Sequence, residues 1–375
     1  MSAIVGPSSL RQMGEMSQTA STIQIDGAAR TYHRRLHPKA DGRALYSYGY
    51  APHTGDPSEE FTDPVAVGSL LRRHPLLDSW AIYSPHRQNR TFKPSTADDP
   101  LAPATPGSAI TEIPFPDFEL AIFGNRFTSL HPASPEPEGL LCEEARASGA
   151  CEVIVYSPEA SGSMATLSQE RRVLYLEAVI DRYKAHFDAG NDYVLPFENR
   201  GDAVGVTLHH PHGQLYALPH VPQPQATAAR AFADGYDLTA ERARWGAGFT
   251  IHSIGPVTAF VPPYARFPYE AWITTEQRRA GPWEMTGEEL EALAEMMGFM
   301  TARYDALFGA PMPYMMSLNA APRVNDGTYH FTVQYFPLMR SPGRVKYLAG
   351  VEQTTRVFTV DVMPETAAKA LRDAV

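Results

Sequence analysis

The stretch Gly205-Val-Thr-Leu-His-His-Pro-His-Gly-Gln-Leu-Tyr-Ala-Leu-Pro219 decides the fold. In and just after it, four of the chain's thirteen histidines (His209, His210, His212 and His220) fall within twelve residues. Its apolar and β-branched residues read as a strand, and strand side chains alternate between faces. His210, His212 and Gln214 therefore share one side, while Pro211 and Gly213 add little bulk to the other. A proline inside a strand implies an edge or an irregular segment, which keeps the histidines accessible. A neutral imidazole near its pKa is a nucleophile, provided the attacking nitrogen keeps its lone pair and the other carries the proton. A neighbouring backbone carbonyl is expected to fix that tautomer. Gln214 donates an amide hydrogen to a phosphate oxygen without moving a proton, which favours a transferase over a hydrolase. On spacing alone, a metal site or satisfied core histidines fit the same pattern.

Working outward, Tyr193-Val-Leu-Pro-Phe-Glu-Asn-Arg-Gly201 leads into this strand, and 167–188 reads as a long helix with Thr166 and Gln169 as a capping box. Residues 151–158 and 120–127 read as strands. A second helix is predicted over 287–308, with Thr286 and Glu289 as its capping box and a Met-rich face for core packing. Residues 30–70 read as an irregular arm with a few short strands, including an alternating stretch after Asp41-Gly42, and 93–116 as a long surface loop. The order of strands, long helix and strands occurs twice. It predicts an α+β fold with a mostly antiparallel sheet, divided into a flexible tail (1–30), an N-terminal half (31–225) and a C-terminal half (226–375).

Composition sets the outer limits. With 43% apolar and 20% charged residues the 375-residue chain is of ordinary globular make-up, and no apolar run approaches bilayer length. A net charge of −10 argues against broad nucleic-acid binding. The 33 prolines predict many loops and short strands. Two cysteines, Cys142 and Cys151, exclude a disulfide framework and a multi-cysteine zinc cluster, and a reducing cytoplasm is the expected compartment.

Six ordered segments resemble the galactose-1-phosphate uridylyltransferases, a branch of the histidine-triad superfamily. They are Ser84-Pro-His-Arg-Gln-Asn-Arg90, Ile122-Phe-Gly-Asn-Arg-Phe127, Phe197-Glu-Asn-Arg-Gly201, the histidine motif, Val261-Pro-Pro-Tyr-Ala-Arg-Phe-Pro-Tyr-Glu270 and Val345-Lys-Tyr-Leu-Ala-Gly-Val-Glu352. The resemblance spans about 42–372 and implies two histidine-triad-like halves. It implies that His212 attacks the α-phosphorus of a UDP-sugar, that the His210 carbonyl orients it, and that Gln214 and Thr207 bind phosphate. Asn125 and Asn199 would contact the nucleoside beside Phe123. Arg87 and Arg90 would reach phosphates across a homodimer interface, and Lys346 and Glu352 would lie near the sugar. The same resemblance keeps open a nucleotide-sugar or dinucleotide hydrolase or phosphorylase, and a nucleotide-binding homologue without turnover.

The chain also departs from the family pattern. The resemblance implies a structural zinc held by a Cys pair, a later His and the first His of the motif. Here Ala102, Thr105 and Ala160 stand at three of those places and only His210 remains, so no metal is expected. A second family metal site keeps only His330, with Asn319 in place of a histidine. Phe358 and Val351 replace a glutamine and a tyrosine near the sugar, which predicts altered sugar specificity.

Overall fold

The computed structural model describes residues 21–89, 98–105, 107–139 and 142–375. Fifteen strands matter here. They are β1 (Ser21–Asp26), β2 (Thr31–Pro38), β3 (Ala44–Gly49), β4 (Leu70–His74), β5 (Ser79–Tyr83), β6 (Leu120–Gly124), β7 (Glu144–Arg146), β8 (Ala150–Val155), β9 (Tyr193–Arg200), β10 (His212–Leu218), β11 (Thr250–Ile254), β12 (Val257–Phe260), β13 (Ala271–Thr275), β14 (Tyr314–Asn319) and β15 (Thr332–Pro337). All but β4, β5 and β7 join a twelve-stranded sheet in the order β1-β2-β3-β6-β8-β10-β9-β14-β15-β13-β12-β11. Its neighbours run antiparallel throughout. Two long helices cover one face, α1 (Gln169–Asp188) and, after the shorter α2 (Gln223–Ala233) and α3 (Leu238–Trp245), α4 (Gly287–Leu307).

The repeat expected from the order of elements is visible as topology. In the N-terminal half β6 and β8 precede α1, β9 and β10 follow it, and the strands lie β6-β8-β10-β9. In the C-terminal half β12 and β13 precede α4, β14 and β15 follow it, and the strands lie β12-β13-β15-β14. Registers correspond as well. Gln214 pairs with Phe197 on one side and Val153 on the other, as Gln334 pairs with Ser317 and Trp272. The halves meet where β9 pairs with β14.

Alternation along the strands builds a core on each face. On β8, Ile154 packs with α1 and α4, whereas Val153 and Val155 join Leu45, Leu101, Ile113, Phe115 and Phe123 on the opposite face. Leu174 and Val179 of α1 and Leu290, Leu293, Met297 and Met300 of α4 share the first core, so the Met-rich face is packing. The α4 capping box is formed, with Thr286 Oγ1 accepting from the Glu289 amide (3.2 Å) and Glu289 accepting from the Thr286 amide (2.8 Å).

Three expectations need correction. The cap of α1 is Ser168, which accepts from the Arg171 amide, because the Thr166 hydroxyl is already bonded to Ser163. The tail ends before residue 30, since Ser21–Asp26 pairs with β2, while residues 1–20 lie outside the described residues. The short strands expected in the arm at 30–70 are present, as β2 and β3 of the main sheet. The described parts of 93–116 are irregular but only partly on the surface: Thr105 and 107–109 are exposed, whereas Leu101, Ala104, Ile113 and Phe115 are buried.

Candidate active site

The histidine motif is an irregular run ending in a strand. β10 begins only at His212, so Pro211 stands outside the ladder and its missing N–H costs no strand bond. Of the edge or irregular segment expected from Pro211, the structure shows the irregular segment, because β10 lies between β8 and β9. Accessibility comes from the open face of the sheet. His212, Gln214 and Tyr216 point to that face, whereas Leu215 and Ala217 join the helix-side core. Gly213 is required between them. A Cβ there would sit 2.5 Å from the Tyr156 hydroxyl and 3.2 Å from the Phe197 carbonyl.

In front of β10 lies a cavity of about 390 Å³. Its lining includes six residues singled out from the sequence: His212, Gln214, Thr207, Arg87, Phe123 and Asn125. His212 Nδ1 donates to the His210 carbonyl at 2.7 Å, which leaves the lone pair on Nε2. Burial lowers the His212 pKa below the ordinary histidine value, outweighing that hydrogen bond, so the ring is neutral at pH 7. Asn125 Oδ1 accepts from the Phe127 amide at 2.8 Å, which turns the chain and leaves its NH₂ as a donor. Arg87 donates to the Phe127 carbonyl, so the basic residue expected across a subunit interface lines the cavity of its own chain.

Charged groups support the apolar wall from behind. Lys39 Nζ lies 5.4 Å from the Phe123 ring centroid and 2.8 Å from Glu112, and Arg43 bridges Asp41 (2.5 Å) and Glu112 (2.7 Å). Buried ions of this kind persist only when each is paired. Arg126, stacked 3.8 Å from the Phe61 ring centroid, completes the rim. The sequence reading missed Phe61, Arg126 and Glu112. Arg126 lies inside a segment already singled out, but Phe61 and Glu112 are isolated in proline-rich surroundings and carry no local signal.

Several expected site residues lie elsewhere. His210 is buried behind the cavity, with Nδ1 2.7 Å from Asp99 Oδ2 and Nε2 2.9 Å from the Ser157 carbonyl. His209 is exposed, and the His220 ring lies 5.7 Å from that of Trp80. Asn199 is half-buried on β9 opposite Met315 and does not line the cavity. Lys346 and Glu352, expected near the sugar, do not line this cavity in one chain, where they hold each other. Lys346 Nζ donates to Glu352 at 2.6 Å and to the Thr359 carbonyl at 2.7 Å, while Glu352 also accepts from the Ala349 amide at 2.6 Å. Arg90 lies outside the described residues.

Ala102, Thr105 and Ala160 carry no thiol, imidazole or carboxylate, and among the described residues no group of three or more His, Cys, Asp or Glu is arranged to hold a metal. His330, the histidine retained from the second family site, is buried with Nε2 3.1 Å from the Thr275 carbonyl. Among the described residues, no helix is long and apolar enough to cross a membrane.

Comparison with known proteins agrees with this geometry. Residues 60–222 match the family model described as galactose-1-phosphate uridyl transferase, N-terminal domain. The galactose-1-phosphate uridylyltransferase of Thermotoga maritima is 32% identical over 81% of this chain and 98% of its own length. That of Cryptococcus neoformans is 30% identical over 86% of this chain and 95% of its own. A solved structure described as a uridylyltransferase superposes with a TM-score of 0.73 at 29% identity, covering 81% of this chain and 98% of that one. With this extent of shared sequence, and with a histidine, a glutamine and an apolar wall set around one cavity, the chain belongs to the galactose-1-phosphate uridylyltransferase family.

Proposed function

We propose that this enzyme moves a uridylyl group from a UDP-sugar to a sugar 1-phosphate by double displacement on His212. The observation that carries the reading is the hydrogen bond from His212 Nδ1 to the His210 carbonyl, made by a ring that lines the cavity. In the first half-reaction Nε2 attacks the α-phosphorus, the N–P bond forms and the bond to the bridging oxygen breaks. Sugar 1-phosphate leaves with that electron pair. In the second half, a phosphate oxygen of another sugar 1-phosphate attacks the same phosphorus and Nε2 departs. The Nδ1 proton stays on the ring throughout, so no net acid or base is needed. Gln214, Thr207 and Arg87 meet charge on the transferring group, and the wall of Phe123, Leu101 and Val153 suits a flat base beside the Asn125 amide.

A homodimer in the reducing cytoplasm fits the remaining residues. Lys346 and Glu352 lie outside the cavity of their own chain, beside exposed Tyr347, Leu348 and Val351, which a second copy would cover. Cys142 and Cys151 are free thiols. The acceptor differs from galactose 1-phosphate in this reading. Phe358 packs 5.9 Å from Phe267 under the Arg266 guanidinium, an apolar arrangement where the resemblance implies a hydrogen-bonding side chain. Turnover of a panel of sugar 1-phosphates tests this, and selective use of galactose 1-phosphate would refute it.

The mechanism is tested by intact mass after incubation with UDP-glucose alone. The expected result is a stoichiometric, acid-labile uridylyl adduct that is absent in His212→Ala. Release of UMP into water, or of UDP when only inorganic phosphate is supplied, without transfer to any sugar phosphate, would replace the transferase with a hydrolase or phosphorylase.

A further inference from the structure

We propose that Asp99 is a positioning residue for this reaction, clamping the His210 ring so that the site works without a metal; the inference rests on His212 being the nucleophile. Three segments converge on His210: the loop carrying Asp99, the turn after Ser157 and the histidine motif itself. They are the segments on which the family resemblance places zinc ligands, but Ala102, Thr105 and Ala160 supply no thiol, imidazole or carboxylate. What surrounds His210 instead is a matched pair of acceptors. The Asp99 carboxylate lies 2.7 Å from Nδ1 and the Ser157 carbonyl 2.9 Å from Nε2, around a side chain with 0% exposure. Each ring nitrogen is thus already engaged by an oxygen at hydrogen-bond distance, and the ring is closed to a cation. The residues present do not fit zinc.

The clamp is itself held. Asp99 Oδ1 accepts from the Leu101 amide at 3.0 Å, and the Ala102 amide donates to the Asp99 carbonyl at 3.3 Å, which fixes the turn presenting the carboxylate. Burial opposes ionisation of Asp99, but the His210 hydrogen bond and the Leu101 amide offset it and keep the carboxyl below the usual range. The far end of the relay is the nucleophile, because the His210 carbonyl accepts the His212 Nδ1 proton at 2.7 Å. Asp99 thus acts two residues away from the reacting nitrogen. It fixes the ring of His210, the ring fixes that residue's main chain, and the carbonyl selects the tautomer that attacks. Removing the carboxylate leaves a buried ring nitrogen unpaired and frees the carbonyl to drift.

The test uses the full chain as Asp99→Ala and as the nearly isosteric Asp99→Asn. Single-turnover labelling of His212 by UDP-glucose is followed by mass, metal content is measured by elemental analysis, and the His212 tautomer is read by long-range nitrogen-15 NMR. In Asp99→Ala, labelling is expected to slow by about 10–100-fold, the usual effect of losing a partner that orients a reacting group, with the half-saturating UDP-glucose concentration little changed. Asp99→Asn should fall between this variant and wild type, and it decides the matter if Asp99→Ala does not fold. Wild type should stay fully active after chelation, without bound zinc, and show one His212 tautomer protonated on Nδ1. Asp99→Ala should show a mixture.

Unchanged labelling and an unchanged tautomer in Asp99→Ala would overturn the proposal. So would stoichiometric zinc in wild type whose removal abolishes labelling. If wild type never labels, the functional reading fails, while the tautomer comparison still judges the clamp.

Discussion

Glu198 offers the most quantitative test of the buried architecture. It lies on β9, one residue after Phe197, with its side chain directed into the helix-side core and 5% exposed. One carboxyl oxygen is 3.5 Å from the Tyr314 hydroxyl, and the other, with the hydroxyls of Tyr156 and Tyr335, has no hydrogen-bond partner. Burial pushes the Glu198 pKa up to about 7, against the lowering influence of Arg200 and the Tyr314 hydroxyl. The unfolded chain titrates near the ordinary glutamate value of 4.5. Between those values the folded protein holds a proton that the unfolded chain has released, so stability falls as pH rises through the window and is level above it.

The span of about 2.5 pH units corresponds to roughly 3 kcal/mol of stability at pH 8 that wild type lacks and Glu198→Gln recovers. Urea unfolding of both proteins from pH 5 to 8.5 should show the variant ahead by about 1 kcal/mol at the acid end, widening to about 3 kcal/mol at the basic end. A difference independent of pH, or a variant less stable than wild type above pH 7, would refute the reasoning.

Two further outcomes concern the nucleophile and its strand. Because burial lowers the His212 pKa, adduct formation should be level from pH 7 to 8 and fall only below the ordinary histidine value of 6.5, as Nε2 takes up a proton; stopped-flow labelling across pH 5–8 checks this, and a loss of rate between pH 8 and 7 contradicts it. Gly213→Ala places a Cβ 2.5 Å from the Tyr156 hydroxyl, which should cost about 1–3 kcal/mol by overpacking and slow labelling by shifting His212; unchanged urea unfolding would contradict the contact.

The parts of the site legible in the sequence are those whose chemistry sits in consecutive residues. His212, Gln214 and Gly213 alternate along one strand, and the α4 cap is a local pattern of Thr286 and Glu289. What stayed hidden depends on partners distant in the chain. β2 reads Thr-Tyr-His-Arg-Arg-Leu-His-Pro, too polar to look like a sheet strand. It is accommodated because Arg34 pairs with Asp181 at 2.7 Å, Arg35 stacks 5.0 Å from the Phe115 ring centroid and His37 meets Glu60 at 3.0 Å. None of those partners is visible from the strand itself. The loop near 100 looks like surface because prolines and small residues dominate it, but Leu101 and Ile113 fill the open face beside Phe123. Asp99 is one acid in that loop, and only folding brings it to a histidine 111 residues away.

The seam between β9 and β14 has a practical consequence for anyone dissecting the chain. Every described residue lining the cavity precedes residue 225, so the first 225 residues look sufficient for uridylyl transfer. Cutting there would strip β9 of four paired positions, Phe197 to Arg200, and expose a raw row of amides and carbonyls one strand from His212. The same cut would bare the flank of α1 that rests on α4. A fragment holding all of the chemistry would thus be prone to stick to its own copies before it could turn over a substrate.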